Sequence, residues 1–163
     1  MPTDPFLIRP FRQTDSRAVA AMLCKLAAFH GDTTPCKAKD FETYACGPKK
    51  CSFLWVALIK KKPVGFIECT IGMDFLHGEL FARVNYLFVE EKVRQMGLGQ
   101  ALIRTVIAYA LSQGCTRFDI GADPKNKLSN KVYTKLGLIR KRKAHTDFRA
   151  DKAMMKKILQ KSI

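Results

Sequence analysis

Acidic residues are scarce in this 163-residue chain: 14 Asp and Glu stand against 29 Lys and Arg, a formal net charge of +15. Such a field draws anionic partners and repels cationic ones at long range. Long apolar runs are also missing. None is longer than Phe53 to Ile59, far short of the roughly 20 residues that span a bilayer, so no transmembrane helix and no membrane partner are expected. The opening Met1-Pro2-Thr3-Asp4-Pro5 has no basic segment leading an apolar stretch and no small-residue cleavage site, which points to a cytoplasmic protein. In that compartment the six cysteines (24, 36, 46, 51, 69 and 115) are expected as free thiols.

Several chemistries are excluded by what the chain lacks. Cys46 and Cys51 are spaced C-x4-C, with Cys36 and His30 upstream, which is wider than the tight pairs of zinc sites. His30, His77 and His145 make no HExxH pair, so no metal is expected. There is no G-x-S-x-G elbow of a serine hydrolase, no G-K-[ST] of a nucleotide triphosphatase, and no G-x-G-x-x-G of a dinucleotide fold.

What is present suits one globular domain spanning residues 1–163. The chain is 47% hydrophobic with eleven Phe, enough for a core that buries roughly two-thirds of the unfolded surface. Phe6 to Phe11 reads as a first strand, and a helix capped by Thr14 or Asp15 follows. Val19, Met22, Leu23, Leu26 and Phe29 recur at helical spacing on one face before Gly31 stops it. Ala38 to Ala45 suits a second, shorter helix. Ser52–Lys60 and Val64–Met73 read as a hairpin turning at Lys61-Lys62-Pro63, and Glu79 to Val89 as a further strand. A helix then carries Leu98, Ala101, Leu102, Thr105, Val106 and Tyr109 on one face and stops at Gly114. Thr116 to Gly121 reads as a strand, followed by a helix ending at Gly137 and by strands near Leu138–Arg142 and Thr146–Ala150. A basic helix begins near Asp151. Antiparallel strands early and strand–helix–strand units late indicate an α/β domain with a mixed sheet.

Residues 131–163 hold eleven Lys and Arg against two Asp, a net +9, and Arg140-Lys141-Arg142-Lys143 is the densest run. A solvated edge explains that run, and so does a surface for RNA, an acidic protein, a membrane surface or a polyanionic cofactor. The more informative stretch is Arg94-Gln95-Met96-Gly97-Leu98-Gly99-Gln100, which enters a helix directly after Tyr86-Leu87-Phe88-Val89. A glycine-containing turn there presents unpaired N–H groups and the positive end of the helix dipole to a phosphate.

In these residues the chain resembles the GNAT superfamily of N-acetyltransferases, whose [Q/R]-x-x-G-x-[G/A] signature is matched by Arg94, Gly97 and Gly99. Asn126 with Tyr133, followed by Lys135-Leu136-Gly137-Leu138, resembles the family's downstream motif, and Ile8-Arg9-Pro10 its opening strand. The resemblance implies a single-domain fold with a mixed, mostly antiparallel sheet, splayed between the fourth and fifth strands and flanked by helices. It implies acetyl-CoA as cosubstrate, its pyrophosphate held by N–H groups from Gln95 to Gln100. The pantetheine arm would add along Leu87, Phe88 and Val89, with an N–H of Leu87 or Phe88 polarising the thioester carbonyl. Asn126 and Ser129 would bond the cofactor from the other side, and Tyr133 would be the general acid of a direct transfer to a primary amine in a ternary complex. A homodimer is common among relatives.

The first half is also similar to the diamine acetyltransferases, but the acidic pair those enzymes carry is here Asn85-Tyr86. A polycationic acceptor is therefore disfavoured. Glu68, Asp74, Glu79 or ordered water remain as general base. The alternative reading is a basic module that docks RNA, a ribosome or an acidic protein and keeps acetyl-CoA as a structural ligand.

Overall fold

The computed structural model describes residues 6–140 and 146–160. Its contacts fall into two compact units, one running through Glu68 and including Tyr86–Leu102, the other comprising Cys69–Asn85 and the chain from Ile103 onward.

In the first unit β1 (Leu7–Pro10) pairs antiparallel with β2 (Phe53–Ile59), from Leu7↔Leu58 to Pro10↔Trp55. Between them lie α1 (Ser16–Phe29) and α2 (Ala38–Phe41), the latter continued by one π-helical turn over Glu42–Cys46. Neither Thr14 nor Asp15 caps α1 with its side chain. Asp15 instead binds Arg9 through both oxygens at 2.7 and 2.9 Å and accepts the Arg12 N–H at 2.8 Å, closing a 3-10 turn over Gln13–Asp15. Burial works to raise the Asp15 pKa, but these bonds outweigh it and hold the carboxylate below its usual range.

One hydrophobic cluster joins Val19, Met22 and Leu23 of α1, Ala45, Leu54, Val56 and Leu58, and Phe66 with Phe88. Phe29, expected on that face, is 61% exposed, because α1 ends there and the cluster stops about a turn earlier. β2 turns into β3 (Lys62–Asp74) through Lys60 and Lys61, both with positive φ (47° and 66°). The turn thus lies one residue earlier than the sequence suggests, and Lys62-Pro63 already belong to β3. Two positive-φ residues match the right-handed twist of a two-residue hairpin, although each costs a non-glycine residue about 1 kcal/mol.

In the second unit the beginning of β4 (Glu79–Val89) pairs parallel with β5 (Arg117–Ala122), Phe81↔Arg117 to Val84↔Ile120. β4 runs on from that ladder to Val89. β7 (Thr146–Asp151) pairs antiparallel with β5, and the short β6 (Ile139–Arg140) with β7. Lys141 to Lys143, most of the densest basic run, lie outside the described residues. Arg140 donates to Asn130 Oδ1 at 3.1 Å and stands 5.9 Å over the Phe148 ring. The helices are the later turns of α3 (Leu98–Ser112), α4 (Lys127–Lys135) and α5 (Lys152–Gln160). Ile103, Val106, Ile107, Phe118, Ile120, Phe148, Met155 and Ile158 are buried here.

Across the chain the strand order is β1-β2-β3-β4-β5-β7-β6. It is a mixed, mostly antiparallel sheet flanked by helices, as the sequence implies, with parallel pairing at β4–β5.

Candidate active site

Alternating burial along β4 keeps one phase, with Ala82, Val84 and Phe88 buried, and is broken at Tyr86, which is exposed next to exposed Asn85. Beyond it Phe88 stays anchored, stacked on Phe66 with ring centroids 6.5 Å apart. Leu87 and Val89 flank it half-buried. Glu90 N–H then bonds the Val64 carbonyl at 2.8 Å, and Glu90 pairs with Lys25 of α1 at 2.6 Å.

The turn into α3 exposes the start of a helix. Arg94 Nε donates to the Val89 carbonyl at 3.0 Å, tying the start of the turn to the end of β4. That nitrogen is therefore engaged within the chain, so Arg94 shapes the turn in addition to any contact with a ligand. Gln95 (φ 69°) and Gly97 (φ 82°) take the left-handed conformation, and Ala101 N–H closes on the Gly97 carbonyl at 3.0 Å. Leu98, Gly99 and Gln100 thus occupy the first helical turn, whose N–H groups have no carbonyl one turn earlier within the helix. Leu98 buries its side chain, Met96 is exposed, and a Cβ added at Gly99 would meet nothing within 4 Å.

In the second unit, Asn126 Oδ1 accepts the Ser129 N–H at 3.1 Å and caps α4. The Asn126 carbonyl also takes Asn130 Nδ2 at 2.7 Å. Both residues expected as cofactor ligands therefore build the start of this helix. One turn on, Tyr133 is 4% exposed, its ring edge-on to Phe148 at 5.1 Å. Burial pushes its phenol up to about 12, against the pull of a hydrogen bond with Ser129.

Two of the candidate bases are otherwise occupied. Arg117 Nη1 lies 2.6 Å from Asp74 and 3.5 Å from Glu79, its Nε lies 3.2 Å from Asp119, and its guanidinium stands 4.6 Å over Phe81. Arg117 holds Asp74 down at about 2, far below a base poised near neutrality. This hub has no signature in the sequence, because its members are drawn from three strands. Glu68, the third candidate, is buried in β3. Among the described residues no group of three or more His, Cys, Asp or Glu could hold a metal ion, and no disulfide joins the six cysteines.

The family model of the acetyltransferase (GNAT) family matches residues 22–138, and the chain belongs to that family. Among curated proteins it is similar to the aminoglycoside N(6')-acetyltransferase type 1 of Salmonella typhimurium, 29% identical over 86 residues, 51% of this chain and 59% of that one. It is also similar to the N-alpha-acetyltransferase 30 of Xenopus laevis, 31% identical over 96 residues, 57% of this chain and 33% of that one. The chain spans between a third and three-fifths of the length of these curated relatives. In fold it matches a crystal structure of a probable acetyltransferase, with a TM-score of 0.74 at 19% identity over 83% of this chain and 91% of that one. A GNAT acetyltransferase from Streptococcus pneumoniae matches with a TM-score of 0.71 at 15% identity over 90% of this chain and 98% of that one.

Proposed function

We propose that this chain is an acetyl-CoA-dependent N-acetyltransferase that acts on a primary amine by direct transfer in a ternary complex, all of it serving as one catalytic domain. The observation that carries the reading is the turn from Arg94 to Gln100, where a positive-φ glycine opens α3 directly behind β4. A helix start of that kind fits a pyrophosphate. Acetyl-CoA supplies the activated acetyl group as a thioester.

The chain's part is to hold that group, polarise it and manage two protons. N–H groups of Leu98, Gly99 and Gln100 receive the pyrophosphate, and Gln95, Met96 and Gly97 shape the approach. Backbone groups of Leu87, Phe88 and Val89 align the pantetheine arm, with an N–H of Leu87 or Phe88 donating to the carbonyl oxygen as charge develops there. Asn126 and Ser129 add polar contacts to the cofactor beyond their capping bonds. The amine nitrogen bonds to the carbonyl carbon and the carbon–sulfur bond breaks, leaving a thiolate.

An acceptor ammonium must first lose a proton from a pKa of about 10. With Asp74 and Glu79 held by Arg117, that proton goes to Glu68 or to ordered water. Tyr133 donates to the departing sulfur. A phenol at about 12 is a weaker acid than a thiol at roughly 8.5, so Tyr133 steadies the thiolate by a hydrogen bond and keeps its own proton, and the second proton, lost from the amine nitrogen as the amide forms, ends on the sulfur. A polyamine acceptor is disfavoured: Asn85 and Tyr86 stand where diamine acetyltransferases carry acids, and the net charge is +15.

The test is calorimetry with acetyl-CoA, followed by a panel of primary amines monitored for free thiol. Binding with amine-dependent thiol release is the expected result. A folded protein that does not bind acetyl-CoA overturns the reading.

A further inference from the structure

The tip of the β3–β4 hairpin, within the second unit, presents apolar side chains that the transferase reading does not use. Phe75 and Leu76 are 87% and 88% exposed, the most exposed of the large hydrophobic residues described. The strands beneath them are two-faced. Asp74, Glu79 and Phe81 meet Arg117, and a methyl added at Gly72 would stand 2.6 Å from the Phe81 ring, so these positions share one face. Alternation then places Met73 and Leu80 on the opposite face, where they are 42% and 38% exposed. Four exposed apolar side chains thus cluster in sequence around the tip of an arm whose other face meets Arg117.

Charge lies at the same end of this unit. Arg117 is in register with Asp151, the last residue of β7, and α5 begins at the next residue. α5 buries Met155 and Ile158 and exposes Lys152, Lys156 and Lys157. An apolar tip and a basic helix that starts at the same end of the unit supply the two signals that hold a protein on an anionic bilayer: side chains that enter the acyl boundary and lysines that meet the headgroups. A second copy of this chain fits the charge less well, because two molecules of +15 repel. Asp74 and Glu79 sit just below the tip, with Arg117 offsetting part of their charge.

We propose that the Phe75–Leu76 tip, with the lysine face of α5, docks this protein peripherally on anionic lipid. Among the described residues no helix is long and apolar enough to cross a membrane, and the expectation that no membrane is a partner rested on spanning runs. A two-residue tip escapes that criterion. The proposal stands independently of the transferase reading.

Co-sedimentation of the full chain with phosphatidylcholine vesicles, with and without phosphatidylserine, tests it. The expected result is binding to the anionic vesicles only, weakened by salt. A double variant Phe75→Ser, Leu76→Ser should lower that binding at least tenfold, and Lys156→Glu with Lys157→Glu should do likewise, with circular dichroism unchanged. Leu76→Trp gives a second readout, a blue shift of fluorescence on anionic vesicles above the background of the buried Trp55. Wild-type protein left in the supernatant overturns the proposal, as does a double serine variant that binds as well as wild type. A dimer that the serine variant dissolves, without vesicle binding, assigns the tip to a second copy instead.

Discussion

α3 and α4 begin in opposite ways. α4 follows Asn126, whose side chain turns back to satisfy the Ser129 N–H, so this start is closed on itself. α3 follows Gly97, which has no side chain to turn back. Every helix begins with N–H groups that no earlier carbonyl can take. Capping them from within stabilises a helix by about 1 kcal/mol, whereas leaving them to an outside anion makes a binding site and forgoes that stabilisation. In the proposed reading the difference assigns labour: α4 carries the buried Tyr133 edge-on to Phe148, and α3 receives a charged ligand.

The largest effect that can break this division is on α4. Tyr133→Phe should lower the acetyl-transfer rate constant by about a hundredfold while leaving acetyl-CoA affinity within a factor of a few. An unchanged rate across pH, measured by thiol release, removes Tyr133 from the chemistry. The same phenol predicts a stability effect. Its folded pKa of about 12 lies above the unfolded value of 10, so its contribution is full below pH 10 and is lost as pH rises through 12. Up to about 3 kcal/mol of stability should disappear over that window. Urea unfolding at pH 9 and pH 11.5 should show that loss in wild type and a smaller one in Tyr133→Phe.

On α3, Gly97→Glu sets a carboxylate at the anion seat and forces a residue with a Cβ to φ 82°. Acetyl-CoA affinity by calorimetry should fall at least tenfold, about 1.4 kcal/mol, and unaltered affinity would falsify the anion seat. Gly99→Ala sharpens the test, because no neighbour lies within 4 Å of the added methyl and its φ is not in the left-handed region. It should leave the fold intact, stabilise α3 by up to about 1 kcal/mol, and still weaken acetyl-CoA by crowding the phosphate.

Much of this division was legible in the sequence, because it is written in local patterns. Arg94-x-x-Gly97-x-Gly99 marks a turn that only certain residues make, and the spacing of Asn126 and Tyr133 survives into one capped helix. Helix and strand limits followed from apolar periodicity to within a few residues, as with Glu79–Val89. What was not legible depends on partners distant in the chain. Phe29 fits the helical stripe of α1, yet the core it would join ends before it. Asp74 looks like any strand carboxylate until Arg117, 43 positions on, reaches it. Asp15 has the composition of a helix cap, but Arg9 and the Arg12 N–H claim its oxygens first.

The smallest effect tests whether Asn126 belongs wholly to the closed start. Asn126→Ala removes the acceptor for Ser129 N–H and should cost about 1 kcal/mol in urea unfolding. The loss should be felt at Tyr133 one turn on, because Ser129 also bonds its phenol, so turnover should fall a few-fold. Acetyl-CoA affinity should fall too, by less than in Gly97→Glu, since α3 supplies the charge-assisted bonds and Asn126 a neutral one. Asn126→Asp separates the two roles. Aspartate caps a helix as well as asparagine, so stability should return, while a second negative charge beside an anionic cofactor should weaken binding further. If stability and affinity instead recover together, Asn126 acts on the cofactor only through the helix it caps, and α4 would be closed to ligand altogether.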